Sequence, residues 1–253
     1  MLAMLNYESA NGHFPPAYIA DDDGKPMHSW RVLILPFLEG NHIYDQYDFS
    51  EPWDGPNNSK LVDQLGTHSC FSCPGQENLG NRTTYKLVTG PGTAFEDDKS
   101  STLAKLTSGA SNTIAILEDT SNPVNWMQPV DLSIDQAIDL YNFKKTPKTM
   151  HHIHETKFER RTWHSSNCAF FDGSIRYIAP LKEPEILGKW FTNDSVPRNW
   201  ESVEDNIANH GGSTVKLSYG YMLVALNILI AVLPFLWRRP AVVSLDDPRR
   251  WNC

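Results

Sequence analysis

The sequence carries none of the short motifs that assemble a common active site. It has no G-x-S-x-G, no H-E-x-x-H and no phosphate-cradling glycine loop. No nucleophile–base–oxyanion pattern results, so no catalytic residue and no cofactor are expected. A single CxxC, Cys70-Phe71-Ser72-Cys73, has no second CxxC and no suitably spaced HxxxH to complete a zinc ribbon. Positive charge is scarce: 22 Lys+Arg stand against 30 Asp+Glu, a net charge of −8. Nucleic acid and anionic lipid would repel such a chain, which removes them as main partners. No internal repeat is present. Met1 opens no signal peptide, because LAML is too short for an apolar h-region and nothing basic precedes it.

What the chain does have is one long apolar run, Leu217 to Trp237, without a charged residue. As a helix it would be about 30 Å long, the thickness of a bilayer's hydrocarbon core. Tyr219, Tyr221 and Trp237 stand at its ends, where amphipathic rings favour the membrane interface. Asn227 and Pro234 interrupt the pattern and are tolerated in membrane helices. Four arginines (Arg238, Arg239, Arg249 and Arg250) follow the run, and only Lys216 closely precedes it. By the positive-inside rule the tail 238–253 is cytoplasmic and the main domain extracytoplasmic. The expected organisation is therefore a domain over 1–192, a linker over 193–216, a single-pass span over 217–237 and a short basic tail. Residues 1–216 hold 18 of the Lys+Arg and 28 of the Asp+Glu, a formal charge of −10.

Within the first 192 residues the signals are those of a mixed helix-and-strand domain. Leu2, Leu5 and Tyr7 fit the last turns of an amphipathic helix ended by Asn11-Gly12. Asp21-Asp22-Asp23-Gly24 is a solvated turn, lacking the later ligands of a calcium loop. Ser29 to Glu39 is the most apolar block, with Ser29 placed to cap a helix. Ser59–Leu65 predicts a short helix, Thr83–Thr89 a strand, Ser111–Leu117 a more buried strand, and Ile134–Leu140 a helix. Lys144–Arg161 reads as an exposed charged loop. Asp172-Gly173 between two β-rich runs predicts a two-residue type I′ hairpin, with Phe170 or Phe171 and Ile175 or Tyr177 facing the core. Glu183–Phe191 predicts a terminal helix.

The cysteines and histidines leave alternatives open. Cys70, Cys73 and Cys168 are candidates for a structural disulfide in an oxidising compartment, and Cys253 would stay free beyond the span. A thiol redox role for Cys70 and Cys73 is countered by Pro74-Gly75, which stops the helix such a motif opens. A metal-dependent activity would draw on His164 and Asp172 with some of His151, His152, His154, Glu118 and Asp119. Histidines in a charged loop are more often simply solvated.

The strings NYESANGHFPPA, SWRVLILPFLEG, YDQYDFSEPWDGPNN, FSCPG, VTGPGTAF, TSGASNTIAILED and H…FFDGSIRYI follow one another in this order. In this the chain resembles a pilin-like planctomycete family called domain of unknown function 1559, whose H-x9-DG signature is named prepilin-processing-associated. The resemblance spans roughly residues 5–192. It implies an α+β, pseudopilin-like fold: an N-terminal helix packed on an antiparallel sheet, here with one C-terminal transmembrane helix. It implies no known reaction, and other pilin-like or cell-envelope proteins as partners. The signature residues fall on His164, Asp172 and Gly173. Only seven residues separate His164 from Asp172, and the G-F-T-L-I-E type prepilin start is missing. A reading frame extending upstream of Met1 is expected, since Leu2–Ala10 looks like the end of a longer helix.

The charge asymmetry around the span yields a direct test. Alkaline phosphatase fused after Cys253 should be inactive, and an active fusion would reverse the topology.

Overall fold

The computed structural model describes residues 1–65, 70–71, 73, 76, 79–96, 98–142, 152–156 and 161–193. The expected linker 193–216 beyond its first residue, the expected span 217–237, the expected tail 238–253 with Cys253, and His151 lie outside the described residues. Chain contacts separate a unit Met1–Ala208 from a unit Asn209–Cys253. Among the described residues no helix is long and apolar enough to cross a membrane.

The chain begins with helix α1 (Leu2–Asn11), stopped by Gly12 at φ 77°, the left-handed conformation that glycine adopts without a Cβ penalty. Strands β1 (Tyr18–Ala20) and β2 (Pro26–Ser29) form a hairpin across the aspartate turn. There Asp21 Oδ1 accepts from the Asp23 and Lys25 amides, which makes the cluster a turn brace. The Ser29 hydroxyl caps α2 (Trp30–Leu33) as its sequence position predicts, accepting from Arg31 N at 3.3 Å. A 3-10 turn at Leu35–Leu38 and α3 (Asn41–Tyr44) follow, and the expected helix near Ser59 is a 3-10 segment, Asn58–Leu65.

The strand expected over Thr83–Thr89 is split into β3 (Arg82–Thr83) and β4 (Tyr85–Thr89). Then come β5 (Ile114–Glu118), β6 (Val124–Asn125), β7 (Leu132–Ser133) and α4 (Ile134–Leu140), which a Ser133–Gln136 capping box starts. Strands β8 (His152–Thr156), β9 (Arg161–Phe170) and β10 (Ile175–Ile178) precede a 3-10 turn and the short α5 (Gly188–Phe191). Pro184 opens that 3-10 turn, so the expected terminal helix is divided. The main sheet runs β10-β9-β5-β4-β7 with β8 also paired to β9. Its pairings are antiparallel except β4 with β7. The class is thus α+β with antiparallel pairing dominant, as the sequence suggested.

The sheet divides the core into two apolar clusters. Leu87, Ile116, Ala169 and Phe171 pack with α1, Trp30, Phe71 and Trp126. Val88, Leu117, Cys168 and Phe170 pack with α4, Leu187 and Trp190. Strand alternation explains most of this assignment. The exception is β5, where Ala115 and Ile116 join the same cluster. A register shift between Ile114 and Ile116 against β9 inserts the extra residue that permits it.

Two expectations are corrected here. Lys144–Arg161 is not wholly an exposed loop, because His152–Thr156 pairs with Arg161–Ser165 as a ladder. The Asp172-Gly173 turn is not type I′ either, since only Gly173, at φ 87°, is left-handed. Gly173 N donates to Phe170 O, and Phe170 N to Ser174 O, giving a three-residue loop. The cause is Phe171, which leaves the strand to bury its ring between Phe14 and Phe95 while its amide donates to Thr113 O. Both Phe170 and Phe171 are therefore buried, one in each cluster. Ile175 and Tyr177 do not face the core: they are 56% and 54% exposed on the edge strand β10.

A β-branched residue at Gly173 would be forced to positive φ. Gly173→Val should cost at least about 1 kcal/mol in denaturant unfolding, whereas Gly173→Asn, which tolerates this conformation, should cost less. Equal costs for both variants would refute the turn assignment.

Candidate functional site

Residues of the histidine–aspartate signature do not converge. His164 lies within β9 opposite Ile153, while His152 and His154 lie opposite Ser165 and Trp163. Asp172 is in the loop at the far end of β9. Six strand steps, about 20 Å at 3.3 Å per residue, separate His164 from Phe170 before that loop begins. Asp172 Oδ1 is occupied locally by the amide and hydroxyl of Ser174. Glu118 Oε2 accepts from the backbone and side-chain amides of Asn167 at 3.1 and 3.0 Å. Asp119 is paired with Lys86. No group of three His, Cys, Asp or Glu among the described residues is arranged to hold a metal ion.

The thiols are equally separate in role. Cys70, Cys73 and Cys168 are not joined in a disulfide in this structure. Cys73 is buried and hydrogen-bonds the Tyr85 side chain. Burial raises the Cys70 thiol above its ordinary range, against a backbone hydrogen bond and the nearby N-terminus. Burial pushes Cys168 up to about 12, and its Sγ donates to Arg176 O at 3.3 Å. Thiols held protonated at neutral pH are poor nucleophiles, which weighs against redox chemistry at either.

Sequence reasoning missed the two buried ion pairs. Arg31, on α2, is completely buried and bonds Asp131 Oδ1 at 3.0 Å. Its guanidinium also donates to Tyr85 O at 2.6 Å, Ser29 Oγ at 2.9 Å and Gln128 O at 3.3 Å, and it lies 4.7 Å over the Trp30 ring. Lys86, on β4, is 1% exposed and bonds Asp119 Oδ2 at 2.7 Å and Asn122 O at 2.8 Å. Burial raises the Asp119 carboxyl, but hydrogen bonds from Lys86 and Ser121 outweigh it and hold it below its usual range. The signal for Arg31 was a lone cation inside the apolar run WRVLIL. For Lys86 it was a cation in a strand whose neighbours are apolar.

Two cavities flank these pairs. An apolar groove of about 350 Å³ runs between α1 and the sheet, lined by Met1, Met4, Trp30, Phe71, Ile116 and Ile175. Exposed Ile175 is part of its wall, and Leu2 and Tyr177 are also solvent-exposed. A polar cleft, also about 350 Å³, lies along Lys86, Asp119, Asp131 and α4.

Residues 1–100 match the family described as protein of unknown function (DUF1559). Over these residues the resemblance read from the motif string is shown. The match ends before TSGASNTIAILED and the FFDGSIRYI hairpin, where the resemblance stands on the residues quoted above. No curated protein and no solved structure matches the chain.

Removing one partner of a buried pair strands the other. Lys86→Met should lower the unfolding free energy by about 3 kcal/mol at pH 7. Asp119 has a depressed folded-state pKa, so its contribution is present above the ordinary carboxylate range and lost as pH falls through the folded value. The gap between wild type and variant should narrow over that acid range. A gap independent of pH would contradict the pairing as its origin.

Proposed function

We propose that this chain is a non-catalytic structural or interaction domain of pilin-like build, carried on a membrane anchor at 217–237. The observation that carries the reading is the apolar groove beside α1, whose wall continues onto the exposed edge strand β10. Monomeric domains keep such contiguous apolar surface small unless it serves an interaction. Among the described residues β10 ends the main sheet beside it, and a terminal strand is where a partner can add to a sheet. The buried charges support the same reading: Arg31, Lys86, Asp119 and Asp131 hold segments together and converge on no reacting centre. The pilin-like assignment rests on the family match, on α1 packed against a mainly antiparallel sheet, and on the quoted motifs. The anchor rests on the uncharged run Leu217–Trp237 and the arginines after it.

A photoreactive amino acid placed at Ile175 in the full chain should crosslink to another polypeptide in native membranes, and one at Asp22 on the β1–β2 turn should not. Alkaline carbonate should leave the chain in the membrane. Release by carbonate would overturn the anchor, and absence of any Ile175 adduct would overturn the interaction surface.

A further inference from the structure

A third cavity, of about 670 Å³, shares no lining residue with the apolar groove. Its volume is that of a small-molecule site, and its polar wall is made of Asn81, Arg82, Asn122, Asn125 and Gln128. The short antiparallel ladder of β3 with β6 sets the centre of that wall. Arg82 pairs with Asn125 across it, so the two side chains rise on one face, about 5 Å apart at Cβ. Thr83 and Val124, the next pair, are buried on the other face. Gln128 N donates to Asn125 O and Trp126 N to Asn81 O, both at 3.0 Å, which brings the remaining amides to the same wall.

The buried cations hold the main chain of this wall in place. Lys86 donates to Asn122 O at 2.8 Å, and Arg31 donates to Gln128 O at 3.3 Å. Trp126 is buried and its indole donates to Val62 O at 3.0 Å. Both cations engage carbonyls, so the side-chain amides of Asn122 and Gln128 are not spent on them. Asn125 Oδ1 accepts from the Met127 amide at 3.0 Å, leaving its NH2 group to donate. A polar wall fixed through its backbone presents its donors in one arrangement.

Charge decides what those donors suit. Arg82 is the sole ionisable residue of the lining, and it belongs to neither ion pair found among the described residues. Lys86 and Arg31 are each matched by their own aspartate. Asp63 lies outside the lining, where it accepts from Asn81 Nδ2. The cavity therefore offers a guanidinium fork surrounded by primary amides and no carboxylate.

We propose that this cavity binds a hydroxylated carboxylate of the sugar-acid class, with its carboxylate on Arg82 and its hydroxyls on Asn122, Asn125 and Gln128. A guanidinium meets a carboxylate through two parallel N–H···O bonds, and amides exchange hydrogen bonds with hydroxyls. An amino sugar would bring a second cation to Arg82 and is excluded.

The test uses the full chain in detergent micelles, with glucuronate, glucose, glucosamine and inorganic phosphate as probes in calorimetry and thermal unfolding. Glucuronate should raise the melting temperature by about 4 °C at ten times its dissociation constant. Glucose, which lacks the carboxylate, should bind at least about tenfold more weakly, and glucosamine should not bind. Arg82→Gln should lower glucuronate affinity at least about tenfold, and this exposed substitution should leave the melting temperature of the free chain within about 2 °C. Gln128→Ala, which keeps the carbonyl that Arg31 holds, should lower affinity about threefold. Glucuronate affinity should also fall as salt is raised, which tests the charge without any substitution. Absence of glucuronate binding, equal binding of glucose, phosphate binding as tightly as glucuronate, or full affinity in Arg82→Gln would overturn the proposal.

Discussion

The fold depends on keeping one guanidinium out of water. Arg31 is fully buried, and an unpaired charge there would cost several kcal/mol. It is tolerated because its fork geometry is filled by Asp131, Tyr85 O, Ser29 Oγ and Gln128 O. Those partners come from the cap of α2, from β4 and from the segment that leads into β7. Satisfying one side chain therefore ties the cap of α2 to β4 and to the segment that enters β7, of which only β4 and β7 share a ladder. Asp131 extends the arrangement, since the oxygen that faces Arg31 also accepts from the Leu87 amide and the Trp30 indole.

The second buried pair performs a parallel task one residue further along β4. Lys86 ties the strand to the loop after β5 through Asp119 and Asn122 O. Between the two pairs, β4 and β5 are buried over both faces, so polar groups in that layer have no access to bulk water and must find protein partners. Replacing such pairs with apolar residues of similar volume is often neutral for stability in other proteins. Their value here lies in where they hold the cleft and the groove relative to the sheet.

Local patterning made much of this legible in the sequence. Gly12 ending α1, Ser29 capping α2 and the helix over Ile134–Leu140 were readable because each depends on neighbours within four residues, whereas the Ser133–Gln136 capping box that starts that helix went unread. The hairpin was found but its turn type was not, because a long-range demand, Phe171 seeking Phe14 and Phe95, overrode the local preference of Asp-Gly. The ladder between β8 and β9 was missed for a related reason. HHIHET is charged and irregular, and pairing partners cannot be read from one strand alone. As for the site, the histidines and cysteines drew attention by residue type, whereas the groups that line the cleft are lysine and aspartates of ordinary appearance. Nothing local marks a buried Asp131; only its three donors do.

The distance along the chain between Arg31 and Asp131 has a consequence for synthesis. The two are 100 positions apart. At about 5–20 residues per second, translation leaves α2 waiting roughly 5–20 s for its counter-ion to be made. Throughout that interval the most apolar stretch of the domain carries a cation it cannot bury, which keeps it hydrated and delays its collapse. The same arginine that locks the finished molecule thus makes the burial of α2 conditional on a residue from the second half of the chain.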